Sequence, residues 1–517
     1  MAAHEHTPLL AKGDRQKSTK NYFSKILAGL VGVFLASADK SILLATQGEI
    51  ASSLHSPSSA SLLLVIYNVG FCIALPVYGF LSDIYGCRRF LLSAYALFAV
   101  GCLISGFATT LWPFVLGRLI SGMGGAGMTD LLSVLVNEIF DITEVASVRS
   151  YIIAAGIVGQ GCGGPLGALV ADMVGWRWSL IGQTPIAFLC LALAQWQFST
   201  TSPVETRSDR KLSLRQFDYF GVASFFILVT SFILATTEGG ISYLSSRTWE
   251  LLAVSGVFLV VFMLIERFGT KYPIIPPSVV CSPGLKGIFC GQIIYFATVT
   301  TILNNLPPYL YRIDHLSNSA IAVRIWPAAL GLISGSIIAG KAMSKKLQYR
   351  KLSLIAIGIT FLSLTVMTIR WLHGIHGVEV FYCFPWGVGG GLLLSAQFIA
   401  LTIRSPAEQL ASAIAVYHLS QQVGQIIGTS VSAAALQHLF RWRVEVGLED
   451  MPLDNRSQLI DHIVQDYKFT EKLAPAIQAV VQSSYIEAYR LIPASALILS
   501  GIVGALIIFS KEKKTMS

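Results

Sequence analysis

The chain has 517 residues, 54% hydrophobic and 13% charged; a soluble protein carries roughly a quarter charged residues, so composition points away from a soluble enzyme. Its net charge of +9 sits in short Lys/Arg clusters between apolar runs, which is the pattern of loops bordering a membrane and not of a nucleic-acid-binding face. The eight Cys form no CxxC pair and show no metal-ligand spacing, so no disulfide framework, metal centre or cofactor is expected.

A spanning helix takes about 20 mainly apolar residues. Fourteen segments qualify, at 23–46, 62–82, 90–110, 113–136, 150–172, 178–198, 217–237, 249–267, 285–305, 320–341, 352–370, 378–402, 410–437 and 488–510. The thirteenth is the most polar, interrupted by Tyr417, His418, Gln421, Gln422 and Gln425. Around them lie a polar segment 1–22, a basic linker 199–216, a long polar loop 438–487 and a basic segment 511–517.

Loop charge sets the orientation. Lys12, Arg15, Lys17 and Lys20 precede the first helix, and every second loop is basic, with Arg88 and Arg89, Arg149, Arg207 to Arg215, Arg267, Lys345 to Arg350, and Arg404. Residues 47–61 contain no Lys or Arg. The excess of positive charge marks the cytosolic side, so both termini are expected there, which an even number of spans satisfies. The 438–487 loop then falls on the opposite side, where Asn455-Arg-Ser457 is a glycosylation acceptor.

Local motifs carry the mechanism. Gly79-Phe-Leu-Ser-Asp83-Ile-Tyr-Gly86-Cys-Arg88-Arg89 lies in the basic turn after the second helix. Gly79 permits a close helix approach, Gly86 a tight turn, and Asp83 can pair with Arg88 or Arg89 at the membrane surface. Glu138, at the cytosolic end of the fourth helix, is expected to partner the same arginines. Further on stand Leu116-Gly-Arg118 followed by Gly122, Gly124 and Gly127, then Gly161-Cys-Gly-Gly164-Pro165-Leu-Gly167, then Gly175-Trp-Arg-Trp178. The first helix contains Ala38-Asp39-Lys-Ser-Ile.

Together these segments resemble the major facilitator superfamily, and within it the branch of drug–proton antiporters with fourteen helices. The resemblance implies an all-α polytopic membrane protein: a six-helix bundle over 23–198, two inserted helices over 217–267, and a second six-helix bundle over 285–510. It implies a role for Arg118 in proton transfer, and a closure-tuning role for Gly161, Gly164, Pro165 and Gly167. Lys40 after Asp39, Gln183 after the Trp-Arg-Trp segment and the loop 139–149 depart from the family pattern.

A depth argument joins two charges. Asp39 lies roughly 24 Å from the cytosolic start of its helix, and Arg118 roughly 8 Å from the opposite face, at 1.5 Å per residue. With a hydrocarbon core of about 30 Å, both fall at one level. A lone charge there is costly, so pairing or contact with water is expected, and protonation of Asp39 would loosen its hold on Arg118. Asp130 has two open readings, a solvated carboxylate at a cavity mouth or an acid that meets a cationic solute or a proton. Asn304, Asn305 and Gln397, and Tyr417, His418, Gln421 and Gln425 at helical spacing in the thirteenth helix, are expected to line a solute cavity or to tie helices together.

Glu5-His-Thr-Pro-Leu9-Leu10 has the form of an acidic dileucine sorting signal, read by adaptor proteins on the cytosolic side. With the Gly-rich twelfth helix and the long loop, it makes the chain resemble fungal vacuolar basic amino acid transporters. The resemblance implies a monomeric, proton-coupled antiporter that carries small solutes from cytosol to vacuole. The alternative is a proton-driven multidrug or toxin exporter at the plasma membrane. No nucleotide loop or nucleophile motif suggests an enzyme, and the short segments 1–22 and 511–517 offer little room for a signalling tail.

Overall fold

The computed structural model describes residues 22–54, 60–140, 142–199, 218–239, 246–270, 272–314, 316, 318–344, 348–372, 374–375, 377–449, 456–465 and 473–509. Glu5, Leu9, Leu10, Asn455, most of the 199–216 linker and the segment 511–517 lie outside them.

Among the described residues the regular secondary structure is helical, apart from one isolated bridge between Leu372 and Gly374. In order run α1 (Tyr22–Ser53), α2 (Ala60–Tyr85), α3 (Cys87–Phe107), α4 (Leu111–Ile139), α5 (Ile142–Val174), α6 (Trp176–Ile181) and α7 (Gln183–Ser199). The inserted pair is α8 (Tyr219–Gly239) and α9 (Ser246–Leu264), and α10 (Pro277–Val280) is a single turn. The second bundle holds α11 (Lys286–Arg312), α12 (Asn318–Ser344), α13 (Tyr349–Arg370), α14 (Cys383–Arg404) and α15 (Leu410–Gly447). After it come α16 (Arg456–Gln465), α17 (Pro475–Tyr489) and α18 (Leu491–Phe509). Among the described residues, 13 helical stretches are long and apolar enough to cross a membrane. α15 supplies the fourteenth span: too polar to meet that criterion, it is nonetheless continuous through Tyr417, His418 and the glutamines.

Three boundaries differ from expectation, each for a local reason. The sixth span is broken at Gly182, so α6 and α7 share it. α5 begins at Ile142 and not near 150, which places Arg149 inside a helix and not in a loop; its side chain is only 6% exposed. α15 runs on to Gly447, into the stretch expected to be loop. Leu436, Phe440, Val444 and Leu448 there pack with Ile460 and Ile463 of α16 and Val481 and Tyr485 of α17. That apolar stripe, with the Arg441–Asp461 and Arg443–Glu487 ion pairs, builds a helical cap on the second bundle, where the polar composition suggested a loop.

The apolar core is distributed unevenly. At the end bearing the basic loops, one continuous cluster runs through both bundles, from Leu91, Phe98, Leu131 and Val145 to Leu352, Phe398, Ile414 and Val503. At the other end the core is split. One cluster belongs to the first bundle, with Ile42, Ile50, Phe114 and Trp176. A second belongs to the other bundle, with Leu306, Tyr309, Trp371 and Tyr489. The bundles are therefore fused at the cytosolic end and separate opposite it.

Two glycines mark the fusion. A Cβ on Gly79 of α2 would lie 2.6 Å from the Ala415 Cβ and 3.0 Å from Ser412 Cα on α15. A Cβ on Gly340 of α12 would lie 2.9 Å from Ser147 Cα on α5. Only Gly allows backbones this close. Gly86, between α2 and α3, has φ 87°, a left-handed turn that side-chain-bearing residues avoid. Of the inserted pair, α8 docks on α2, where Ile233 joins Val65, Val69 and Cys72, and α9 packs on α8.

Candidate functional site: a polar cavity between the bundles

Deep in the first bundle, α4 brings Arg118 against Asp39 of α1. Arg118 donates through both terminal nitrogens, at 2.9 and 2.7 Å, one to each carboxylate oxygen. Neither side chain reaches solvent. Gln183, at the start of α7, donates to Asp39 Oδ1 at 3.1 Å, and the Arg118 guanidinium lies 4.7 Å over the Tyr67 ring. The residue that departs from the family pattern at 183 thus completes the shell of the carboxylate. A bidentate, fully desolvated pair of this kind is strong only while both partners stay charged.

On α5, Gly164 and Gly167 face Ser41 and Ile42 of α1, and Gly163 meets the Ala38 carbonyl. Gly161 instead faces Trp326 of α12, across the gap between bundles. Pro165 lies inside α5 without ending it.

A cavity of about 230 Å³ opens between the bundles. Lys40 of α1, Ser133 of α4 and Arg149 of α5 line one side, and His418, Gln421 and Gln422 of α15 the other, with Phe71 and Phe296 as apolar walls. Lys40 Nζ stands 4.0 Å over the Phe71 ring and 5.6 Å from that of Tyr67. The Arg149 guanidinium stacks 3.4 Å over Phe398, and its NH1 donates to Ser133 Oγ at 3.4 Å. Asp130 is fully buried behind this wall; its Oδ1 shares a hydrogen bond of 2.7 Å with His418 Nδ1, and His418 is 15% exposed. The bond joins α4 of one bundle to α15 of the other. Asp130 Oδ2 has no hydrogen-bond partner.

A chain of amides leads away from the cavity. Gln421 Nε2 donates to Gln292 Oε1 at 2.9 Å, and Gln292 Nε2 donates to Gln397 Oε1. Of the residues expected to line a solute cavity, His418 and Gln421 line this one, whereas Gln397 stands two amides behind it. Tyr417 is fully buried and donates to the Leu394 carbonyl at 3.3 Å. Asn304 donates to Thr429 Oγ1 at 2.6 Å, and Asn305 to Ser432 Oγ at 2.9 Å, so both tie α11 to α15 and do not line this cavity. Sequence reasoning places His418 on the cavity-facing side of α15 but does not place Lys40, Arg149 or Gln292 among the site residues. Lys40 carries a signal, as a cation next to Asp39 in the middle of a span; Arg149 is hidden by its place near the start of α5 and Gln292 by the apolar span around it.

The cytosolic closure also differs from expectation at Asp83. Its carboxylate does not serve Arg88 or Arg89 as expected: Oδ1 accepts from the Ala411 amide at 2.9 Å, and Oδ2 from the Ser412 amide at 2.9 Å and the Ser412 hydroxyl at 2.6 Å. These are the orphan donors at the start of α15, so a residue of one bundle caps a helix of the other. Arg88 is half-buried and Arg89 exposed in the first turn of α3, and Glu138 is exposed in the last turn of α4. Beside them Thr402 of α14 donates to Asn137 Oδ1 of α4 at 3.2 Å, a second link between the bundles.

Two helical bundles joined at one end, with buried charges and a polar cavity between them, define a membrane transporter of the two-bundle type. The Major Facilitator Superfamily model matches residues 29–429, and the chain belongs to that family. It is an integral membrane protein, not an enzyme. It is 27% identical to the vacuolar membrane amino acid uptake transporter fnx2 of Schizosaccharomyces pombe, over 89% of this chain and 79% of that protein. It is 25% identical to the multidrug resistance protein fnx1 of the same yeast, over 94% and 92%. To vacuolar basic amino acid transporter 2 of Saccharomyces cerevisiae it is 23% identical, over 80% and 90%. In fold it is similar to the human organic anion transporter MFSD10, with a TM-score of 0.58 at 11% identity, over 94% of this chain and 99% of that one.

Proposed function

We propose that this transporter is a proton-coupled antiporter that moves basic amino acids from the cytosol into the vacuole. The observation that carries the reading is the small polar cavity, sealed from the cytosol by a shared core and bounded on the other side by two separate cores. That is the geometry of a state releasing solute away from the cytosol. Two of the relatives are named for vacuolar amino acid transport, which supports both the solute class and the membrane. The acidic dileucine at Glu5, Leu9 and Leu10 is consistent with adaptor-led delivery there.

Drug-sized ligands occupy pockets of roughly 300–1,000 Å³. At about 230 Å³ the cavity suits one small metabolite better, which favours the amino-acid reading over the multidrug reading suggested by the fnx1 likeness. Two carboxylates serve the proton. Asp130 meets it through His418 at the cavity edge, and Asp39 answers deeper, through its grip on Arg118. Release of that grip frees α1 to move against α4.

Uptake of labelled lysine, arginine and histidine into acidified vacuolar vesicles tests the reading. Uptake that depends on this protein and collapses with a protonophore is expected. Absence of amino-acid uptake, together with drug sensitivity on deletion, would establish the multidrug alternative.

A further inference from the structure

The cavity of a carrier for cationic solutes is expected to be lined by acids, and this one is lined by cations. Lys40 and Arg149 both face it, and neither has a carboxylate within ion-pair distance among the described residues. The nearby acids are committed elsewhere. Both oxygens of Asp39 are held by Arg118, with Gln183 sharing one. Asp130 presents Oδ1 to His418. Phe71 and Phe398 back the two cations, but an aromatic face attracts a cation without neutralising it. A half-buried lysine and a buried arginine without a counter-ion make an incomplete site, and an incoming anionic group completes it.

We propose that Lys40 and Arg149 form a subsite for the substrate's carboxylate, so that this protein selects solutes bearing that group and rejects their decarboxylated analogues. This rests on the amino-acid reading above and narrows it. The solute's carboxylate meets Lys40 and Arg149 on the α1–α5 wall, and its cationic end faces the α4–α15 seam. There the unpartnered Asp130 Oδ2 lies behind His418. The site thereby binds a zwitterion lengthwise, and a purely cationic drug meets two like charges on entry.

Matched ligand pairs test the proposal on the purified full-length chain in nanodiscs. Thermal stabilisation by lysine is compared with that by cadaverine, and arginine with agmatine. At least tenfold weaker apparent binding of each amine is expected. Lys40→Gln is expected to erase the difference within each pair and Lys40→Arg to keep it; Arg149→Gln is the second variant, should Lys40→Gln fail to fold. Equal binding of lysine and cadaverine by the wild-type chain would overturn the carboxylate subsite while leaving a basic-solute carrier standing. Binding of carboxylates without an amino group, such as malate, in place of amino acids would support the subsite and overturn the amino-acid reading.

Discussion

Two acids, Asp39 and Asp130, lie buried in the same bundle and take cationic or protonatable partners in opposite ways. Asp39 is paired inside the bundle, with Arg118 on the next-but-two helix, and no part of the pair is exposed. Asp130 is paired across the bundles, with a histidine of α15 that touches the cavity. The first pair keeps its geometry as long as the bundle is intact. The second exists only while the bundles are joined at the cytosolic end. Under the proposed antiport, a proton arriving through the cavity would meet the seam first and the inner pair second.

The contrast is broken most severely by removing one partner of the inner pair. Arg118→Met leaves Asp39 buried and uncompensated, which costs about 3–5 kcal/mol. A large drop in melting temperature and loss of folded protein are expected in a detergent stability assay. Asp39→Asn keeps the volume and removes the charge. It is expected to fold but to lose proton-driven uptake in vesicles, and full proton-driven uptake by this variant would exclude Asp39 as the coupling acid.

His418→Gln acts on the seam alone. It is expected to cost about 1–3 kcal/mol as the Asp130 carboxylate loses its partner. Solute exchange should persist while proton-driven accumulation falls, as read by counterflow against net uptake. Gly79→Val tests the fusion itself, since its side chain would collide with α15. Greater cytosolic accessibility of a cysteine introduced at Gln421 is expected, because the closed end cannot seat fully. The smallest effect is predicted for Asp83→Ala, which removes a cap worth about 1 kcal/mol. A fall of a few degrees in melting temperature checks it.

The membrane architecture was largely legible because apolar length is a one-dimensional signal. The Asp39–Arg118 contact was legible too, since depth along two oppositely running helices is simple arithmetic at 1.5 Å per residue. What escaped required knowledge of facing. Arg149 lies in the first turns of α5 and reads as loop charge, yet the helix turns it inward over Phe398. Gln292 is one polar residue in an apolar span, and its amide partners Gln397 and Gln421 lie 105 and 129 residues away. The extension of α15 was masked by Arg441, Arg443 and Glu445, which lie on its polar side while Phe440 and Val444 are buried.

The helical cap formed by the end of α15, α16 and α17 draws its core partners from the second bundle. Sharing that core, it would travel with the second bundle in any rocking motion between the two. A fluorophore placed on it at the exposed Ser483, paired with one at the outer end of the first bundle, would act as a lever arm, turning small tilts buried in the bilayer into displacements readable from the lumen.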